Sequence, residues 1–416
     1  MSRCRPAGRI QTLLLLHVLW CGAGRAVAAE PVNEWSTRTS ELAAAAGMSP
    51  FRTPLTLALV HLAVYDAVNA IEGGYAPYAS APQVRRPASR DAALVEAAYA
   101  VLLVELPSQR AALDAARAAS LASIGEPELT NGLAVGSAAA RALLARRTGD
   151  GRNSTVAYTP GSGPGVWIPT PPGLLPAAAP FLARVVPFTM RAPSQFRPEG
   201  PPRLGSRRYA RELGEVKDLG EKDSASRSEE QTATAHFWEP FAGTVWPASI
   251  RRVAEERGLD TAAAARFEAA AFAGFADAII ACWDAKYAYN FWRPVTAIRG
   301  AATDGNPRTH AKETWEPLSV TPPFPEYPSG HACVSTAVAN VMEDFFSHDL
   351  RIPARNLTTG EERVYTRAQE VSDEVIEARM LLGVHFRTAN EDGAEIGRRI
   401  ARWIRTRFFR PTRNTD

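Results

Sequence analysis

The chain has 416 residues, of which 46% are hydrophobic, enough for a large core in one big domain or two intimately packed ones. Its 47 basic and 44 acidic residues leave a formal charge of +3, and four cysteines are too few for a disulfide framework. No basic run with interleaved aromatics supports a nucleic-acid partner.

Residues 1–29 read as an export signal. Arg3, Arg5 and Arg9 form a basic start, Leu13 to Trp20 an apolar stretch broken by His17, and Ala26-Val27-Ala28-Ala29 a small-residue cleavage region. Trp20 before Cys21 argues against lipid attachment. The apolar stretch is short for a bilayer and no later run approaches about 20 apolar residues, so no membrane span is expected. The mature chain is expected to be soluble and periplasmic or extracellular. Loss of the leader removes four arginines and no acid, taking the charge from +3 to −1. Cys282 and Cys333 then remain, expected as two buried free thiols unless they pair.

Pro54 to Ile71 predicts a buried helix with Leu57, Val60, Val64, Val68 and Ile71 on one face. Further helices are expected at Asp91–Leu106, Gln109–Ile124 and Asn131–Arg147. Their Ala and Leu content, without β-branched alternation, indicates an all-α, large helical-bundle protein with long Pro/Gly-rich loops. No period of 20–50 residues suggests a solenoid. Residues 150–205 are crowded with Pro and Gly but carry Trp167, Phe181 and Phe188, so an ordered loop over the helices is expected. It separates an N-terminal helical half, 30–205, from a C-terminal half, 206–416.

Helix returns at Glu229–Trp238 and Ala262–Asn290. The longer one delivers Trp283, Lys286 and, near its end, Arg293, whose neighbour Pro294 should stop the helix there. Lys286 and Arg293 are seven apart, on one helix face. The loop 299–328 then enters a helix over Ala332–Phe346, with Ser329, Gly330 and His331 in its first turn. Unpaired N–H groups, the dipole, the Ser329 hydroxyl and His331 make that turn an oxyanion pocket or an ordinary capped helix start. In Arg379-Met380-Leu381-Leu382-Gly383-Val384-His385, Gly383 lets the helix stop and His385 swing back beside Arg379. A final amphipathic helix starts near Asn390, with Ile396, Ile400, Trp403, Ile404 and Phe408 as its buried stripe.

Lys286-x6-Arg293-Pro294, then Pro328-Ser329-Gly330-His331, then Arg379-x5-His385 resembles the active site shared by vanadium-dependent haloperoxidases and type 2 phosphatidic-acid phosphatases. The runs Tyr287–Ile298, Thr321–Tyr327, His385-Phe386-Arg387, Glu229–Trp238 and Leu62–Ile71 are similar to bacterial haloperoxidase-like proteins. The likeness extends from about residue 32 to the C-terminus, strongest over 275–400, and implies a haloperoxidase/PAP2-like helical core.

The resemblance implies that His385 binds vanadium of a vanadate cofactor, a place phosphate can share. Lys286, Arg293, Ser329, Gly330 and Arg379 would neutralise its oxygens, with His331 as acid–base. Lys286 would polarise the bound peroxide, and Trp283 and Phe324 would flank the halide path. The implied reaction oxidises halide with hydrogen peroxide to hypohalous acid, which passes to a small organic acceptor. Ala378 and Ala389 depart from the Ser and Asp common in the family; the missing Asp weakens the phosphatase reading unless Glu391, Asp392 or a backbone carbonyl substitutes, and Glu326 is the candidate partner of His331. Two alternatives stay open: a phosphatase with His385 as nucleophile, and a non-catalytic oxyanion-binding protein.

Overall fold

Segments rich in Ala and Leu become helices here. The computed structural model describes residues 30–347 and 350–412; the leader read at residues 1–29 lies outside the described residues. The N-terminal helices are α1 (Glu30–Ala45), α2 (Thr53–Glu72), α3 (Arg90–Glu105), α4 (Arg110–Leu121) and α5 (Glu128–Arg146). Then follow α6 (Arg207–Leu219), α7 (Glu229–Phe237), α8 (Ala242–Glu256), α9 (Thr261–Tyr289) and α10 (Pro294–Arg299). The last are α11 (Gly330–Phe346), α12 (Ala368–Leu381) and α13 (Arg387–Arg407). The expected helical elements are all present, within a few residues at their ends. Helices α1, α6, α8 and α10 have no counterpart in the sequence reading, although α6 and α8 are amphipathic, α8 with Pro247 inside it. One antiparallel hairpin, β1 (Ile352–Arg355) with β2 (Glu362–Tyr365), accompanies the helices.

Helix α9 is the axis of the molecule. From Phe267 to Lys286 it is buried on every face, and α2, α8, α11 and α13 pack around it. A helix apolar all round needs such a sheath, because one amphipathic face cannot cover it. Helix α2 is also long and apolar enough to cross a membrane, contrary to the expectation that no run reaches that length, yet 89% of its apolar window is buried inside the protein. The main core joins residues from α1 to α5 with residues of α8, α9, α11 and α13.

Residues 150–205 are held down by carboxylates on the helices. Buried Asp277 of α9 accepts from the backbone N–H of Phe188 (2.6 Å), Thr189 (2.8 Å) and Met190 (3.1 Å), and from the Thr189 hydroxyl. Asp284, two turns on, takes Arg197 in a fork of two 2.8 Å hydrogen bonds. Four donors on one buried carboxylate replace its lost hydration.

Two glycines set distances near the C-terminal helices. A Cβ on Gly397 of α13 would lie 2.6 Å from the Cys333 carbonyl oxygen, so the two backbones touch only because none exists. Gly383 has φ +74, which turns the chain out of α12.

Asp277→Ala should cost about 3 kcal/mol, since it strands several buried donors at once. Urea unfolding measures the loss, and limited proteolysis should move its first cuts into residues 150–205.

Candidate active site

The ends of three helices and one proline-rich loop supply the candidate site. Lys286 lies in the last turn of α9, Arg379 in the last turn of α12, and Ser329 is the N-cap of α11. Cations suit helix C-termini and anions suit an N-terminus, so each end is matched to its charge. Helix α9 stops at Tyr289, four residues before the expected point, because Asn290 adopts a left-handed conformation (φ 47). Arg293 is therefore the extended N-cap of α10, with Pro294 at its first position, and aims inward from a loop.

Backbone carbonyls hold the three cations. The Lys286 ammonium, fully buried, donates to the carbonyls of Pro325 (2.9 Å), Glu326 (3.0 Å) and Pro328. Arg293 donates from Nε to Phe324 O (2.9 Å) and from Nη1 to Val384 O (2.8 Å), and its guanidinium lies 4.8 Å from the Phe324 ring centre. Arg379 donates from Nη1 to Trp238 O (2.9 Å). Burial pushes Lys286 down to about 8, Arg379 to about 9 and Arg293 to about 10. Mutual repulsion with Arg293 adds to the first two shifts.

The structure brings His385 to this cluster. Its Nε2 is 3.3 Å from Arg293 Nη1, and the charges of Arg293, Lys286 and Arg379 join burial in holding it well below the usual histidine value. Its Nδ1 lies 2.9 Å from Glu326 Oε1, which also accepts the Phe386 N–H at 3.0 Å. An oxygen already accepting that N–H takes the Nδ1 proton as donor, so Nε2 keeps its lone pair. Glu326 is thus the partner of His385, correcting the expectation that it serves His331. It fills the role expected of Glu391, Asp392 or a carbonyl: Asp392 instead accepts the Tyr327 hydroxyl, and Glu391 faces Arg208. Burial raises Glu326 to about 8 against the Arg293 and Lys286 charges.

His331 is half-buried. Its Nε2 sits 2.9 Å from the Pro240 carbonyl, which only accepts, so Nε2 bears the proton and Nδ1 is the basic atom. Burial and Arg379 keep this ring neutral, well below the usual histidine value. No sequence signal marks Trp238 or Pro240, because both contribute backbone oxygens.

Several buried polar atoms here lack a partner: Ser329 Oγ, Arg293 Nη2 and Arg379 Nε, with Glu326 Oε2. Ser329 caps nothing despite its N-cap position. Each stranded donor costs about 1–3 kcal/mol, and a small oxyanion is the guest that satisfies hydroxyl and guanidinium N–H together. The donor set therefore fits vanadate or phosphate. Beside it lies a cavity of about 280 Å³, walled by Phe51, Phe241, Phe275, Trp283 and Phe324, with His331, Arg379 and His385 also lining it. The rings of Trp283 and Phe324 lie 5.0 Å apart between centres, tilted by 51°.

Comparisons with known proteins support the motif reading. Residues 266–413 match the family described as the VCPO second helical-bundle domain. The vanadium chloroperoxidase of Curvularia inaequalis is 30% identical over 151 residues, covering 30% of this chain and 24% of that one. The chain thus spans about a quarter of that relative's length. Among solved structures, the first bacterial vanadium-dependent iodoperoxidase superposes with a TM-score of 0.80 at 24% identity, covering 94% of this chain and 99% of that one. The holo form of a bacterial vanadium-dependent chloroperoxidase gives 0.66 at 20% identity, covering 86% and 92%. The resemblance to the vanadium haloperoxidases is borne out, and the fold is the helical bundle of those enzymes.

Anion binding here should weaken as pH rises. Protonated Lys286 attracts the guest and loses its charge as pH passes about 8, while the guanidinium of Arg379 stays charged. Calorimetry with sulfate, whose charge is constant, should show affinity falling between pH 7 and 9.5 by up to about tenfold per unit. A flat profile would mean that Lys286 does not face the guest.

Proposed function

We propose that this chain is an exported vanadate-dependent haloperoxidase, oxidising halide with hydrogen peroxide to hypohalous acid. Support comes chiefly from one observation: His385 offers an Nε2 lone pair, fixed by Glu326 at Nδ1, among three buried cations with stranded donors. The names of its relatives carry vanadium and halide chemistry to this reading. The helical halves 30–205 and 206–416, and export after loss of residues 1–29, belong to the same proposal.

His385 Nε2 would be the metal ligand, and Arg293, Arg379, Ser329 Oγ and the Gly330 N–H would balance the oxyanion charge. Vanadate, when bound, supplies a Lewis acid that activates peroxide toward a nucleophilic halide. His331, neutral and with Nδ1 as its basic atom, would serve as the acid–base group that holds and returns a proton beside the bound oxyanion. Lys286 reaches the guest by exchanging one of its three carbonyls. Trp283 and Phe324 give the halide an apolar wall on which to shed water.

His331→Ala should retain vanadate and lose at least about a hundredfold in halogenation of a phenolic dye. His385→Ala should lose vanadate itself. Absence of turnover with chloride, bromide and iodide in fully vanadate-loaded protein sinks the proposal. Vanadate-inhibited hydrolysis of a phosphomonoester by the same sample would turn it toward the phosphatase, with His385 Nε2 as nucleophile. Binding without either activity leaves an oxyanion-binding protein. Glu326→Ala should weaken vanadate binding by about 10- to 100-fold, read by calorimetry.

A further inference from the structure

Two cysteines sit directly behind the site. Cys282 is one helical turn before Lys286 on α9, and Cys333 is one turn after Ser329 on α11. Both are fully buried free thiols on two helices that pack against each other, and each affects the other's ionisation. Cys282 Sγ also lies 3.6 Å from the Pro328 carbonyl, an oxygen that accepts from Lys286 as well. One carbonyl therefore serves a thiol and the site's ammonium.

The environment favours a reaction between the thiols. Burial alone would raise Cys282, but the influence of Cys333 and the Lys286 and Arg293 charges outweigh it and hold that thiol below its ordinary value. Burial and pairing hold Cys333 well above. One thiol is thus the more easily ionised attacker and the other stands by to resolve it. Gly330, half-buried in the wall of the apolar cavity, stands between that cavity and Cys282, whose Sγ a Cβ there would meet at 4.0 Å.

We infer that Cys282 and Cys333 form a peroxide-oxidisable dithiol site whose state is communicated to Lys286 through the Pro328 carbonyl. The Cys282 thiolate attacks one peroxide oxygen, giving a sulfenic acid and, with a proton, one water. Cys333 then attacks that sulfur, the S–S bond forms, and the hydroxyl leaves as a second water. Two thiols are oxidised by two electrons and one hydrogen peroxide is reduced. The disulfide has no S–H for Pro328, so that carbonyl holds Lys286 alone and the ammonium is less free to meet an anion. The inference rests on the proposed function only for the natural source of peroxide.

The test uses vanadate-free protein with added hydrogen peroxide, so halide turnover does not enter it. Alkylation after unfolding should count Cys282 and Cys333 as reactive before treatment, neither after it, and both again after dithiothreitol. Intact mass should fall by two hydrogens. Cys333→Ser should instead stop at a sulfenic acid on Cys282, trapped by dimedone. Once catalase has removed the peroxide, phosphate should bind the oxidised form about fivefold more weakly, the worth of one hydrogen bond. Thiols that stay alkylatable, or that are lost only to products dithiothreitol does not reverse, overturn the dithiol. Equal phosphate affinity in both forms overturns the link to Lys286.

Discussion

Three buried cations stand close enough to repel one another, and the rest of the structure answers to that crowding. Lys286, Arg293 and Arg379 are each buried and each pushed down, because charge without water is expensive. Carboxylates would relieve them but would also cancel the charge a guest needs. Carbonyl dipoles do the holding instead: Pro325, Glu326 and Pro328 for Lys286, Phe324 and Val384 for Arg293, Trp238 for Arg379. Dipoles position a cation and leave its formal charge in place. Glu326, the buried acid beside His385, spends its hydrogen bonds on that imidazole and the next backbone N–H.

That arrangement explains why the site is assembled from helix ends. The C-terminal turns of α9 and α12 make Lys286 and Arg379 less costly to bury, and the N-terminal turn of α11 begins at Ser329, whose hydroxyl caps nothing. Rigid supply of carbonyls requires loops that do not move. The proline-rich run 321–328 meets this need, and it is tied in turn to Ala178 and Phe291 by backbone hydrogen bonds. Asp277 and Asp284, further back on α9, anchor the long segment that includes Ala178. Stability and site geometry are therefore carried by one helix.

The Glu326–His385 pair gives the site its chemical direction. A neutral imidazole with its proton fixed on Nδ1 presents a lone pair at Nε2, which suits a metal ligand and a nucleophile equally. Selection between those uses falls to the guest and the neighbouring cavity. The apolar wall of Phe51, Phe241, Phe275, Trp283 and Phe324 is poor company for a hydrated phosphate ester. It suits a poorly hydrated halide or an aromatic acceptor better.

Helix existence was legible in the sequence, because Ala- and Leu-rich periodic runs between Gly and Pro leave little else for the backbone to do. That Lys286, Arg293, Arg379 and His385 would come together was also legible, since their spacings resemble those of a known family. Helix ends were legible only where a residue states its conformation, as Gly383 does; Asn290 ended α9 early through a left-handed turn that an Asn does not announce. Glu326 was visible as a residue and misassigned as a partner, because a hydrogen bond across 59 positions has no local pattern. The carbonyls of Trp238, Pro240, Phe324 and Val384 had no signal at all, as every residue carries one. Local chemistry and spacing determined which side chains converge; packing alone decided which dipoles hold them, which histidine Glu326 orients, and that Cys282 lies against the Pro328 carbonyl, because those contacts join segments whose proximity only the closed core creates.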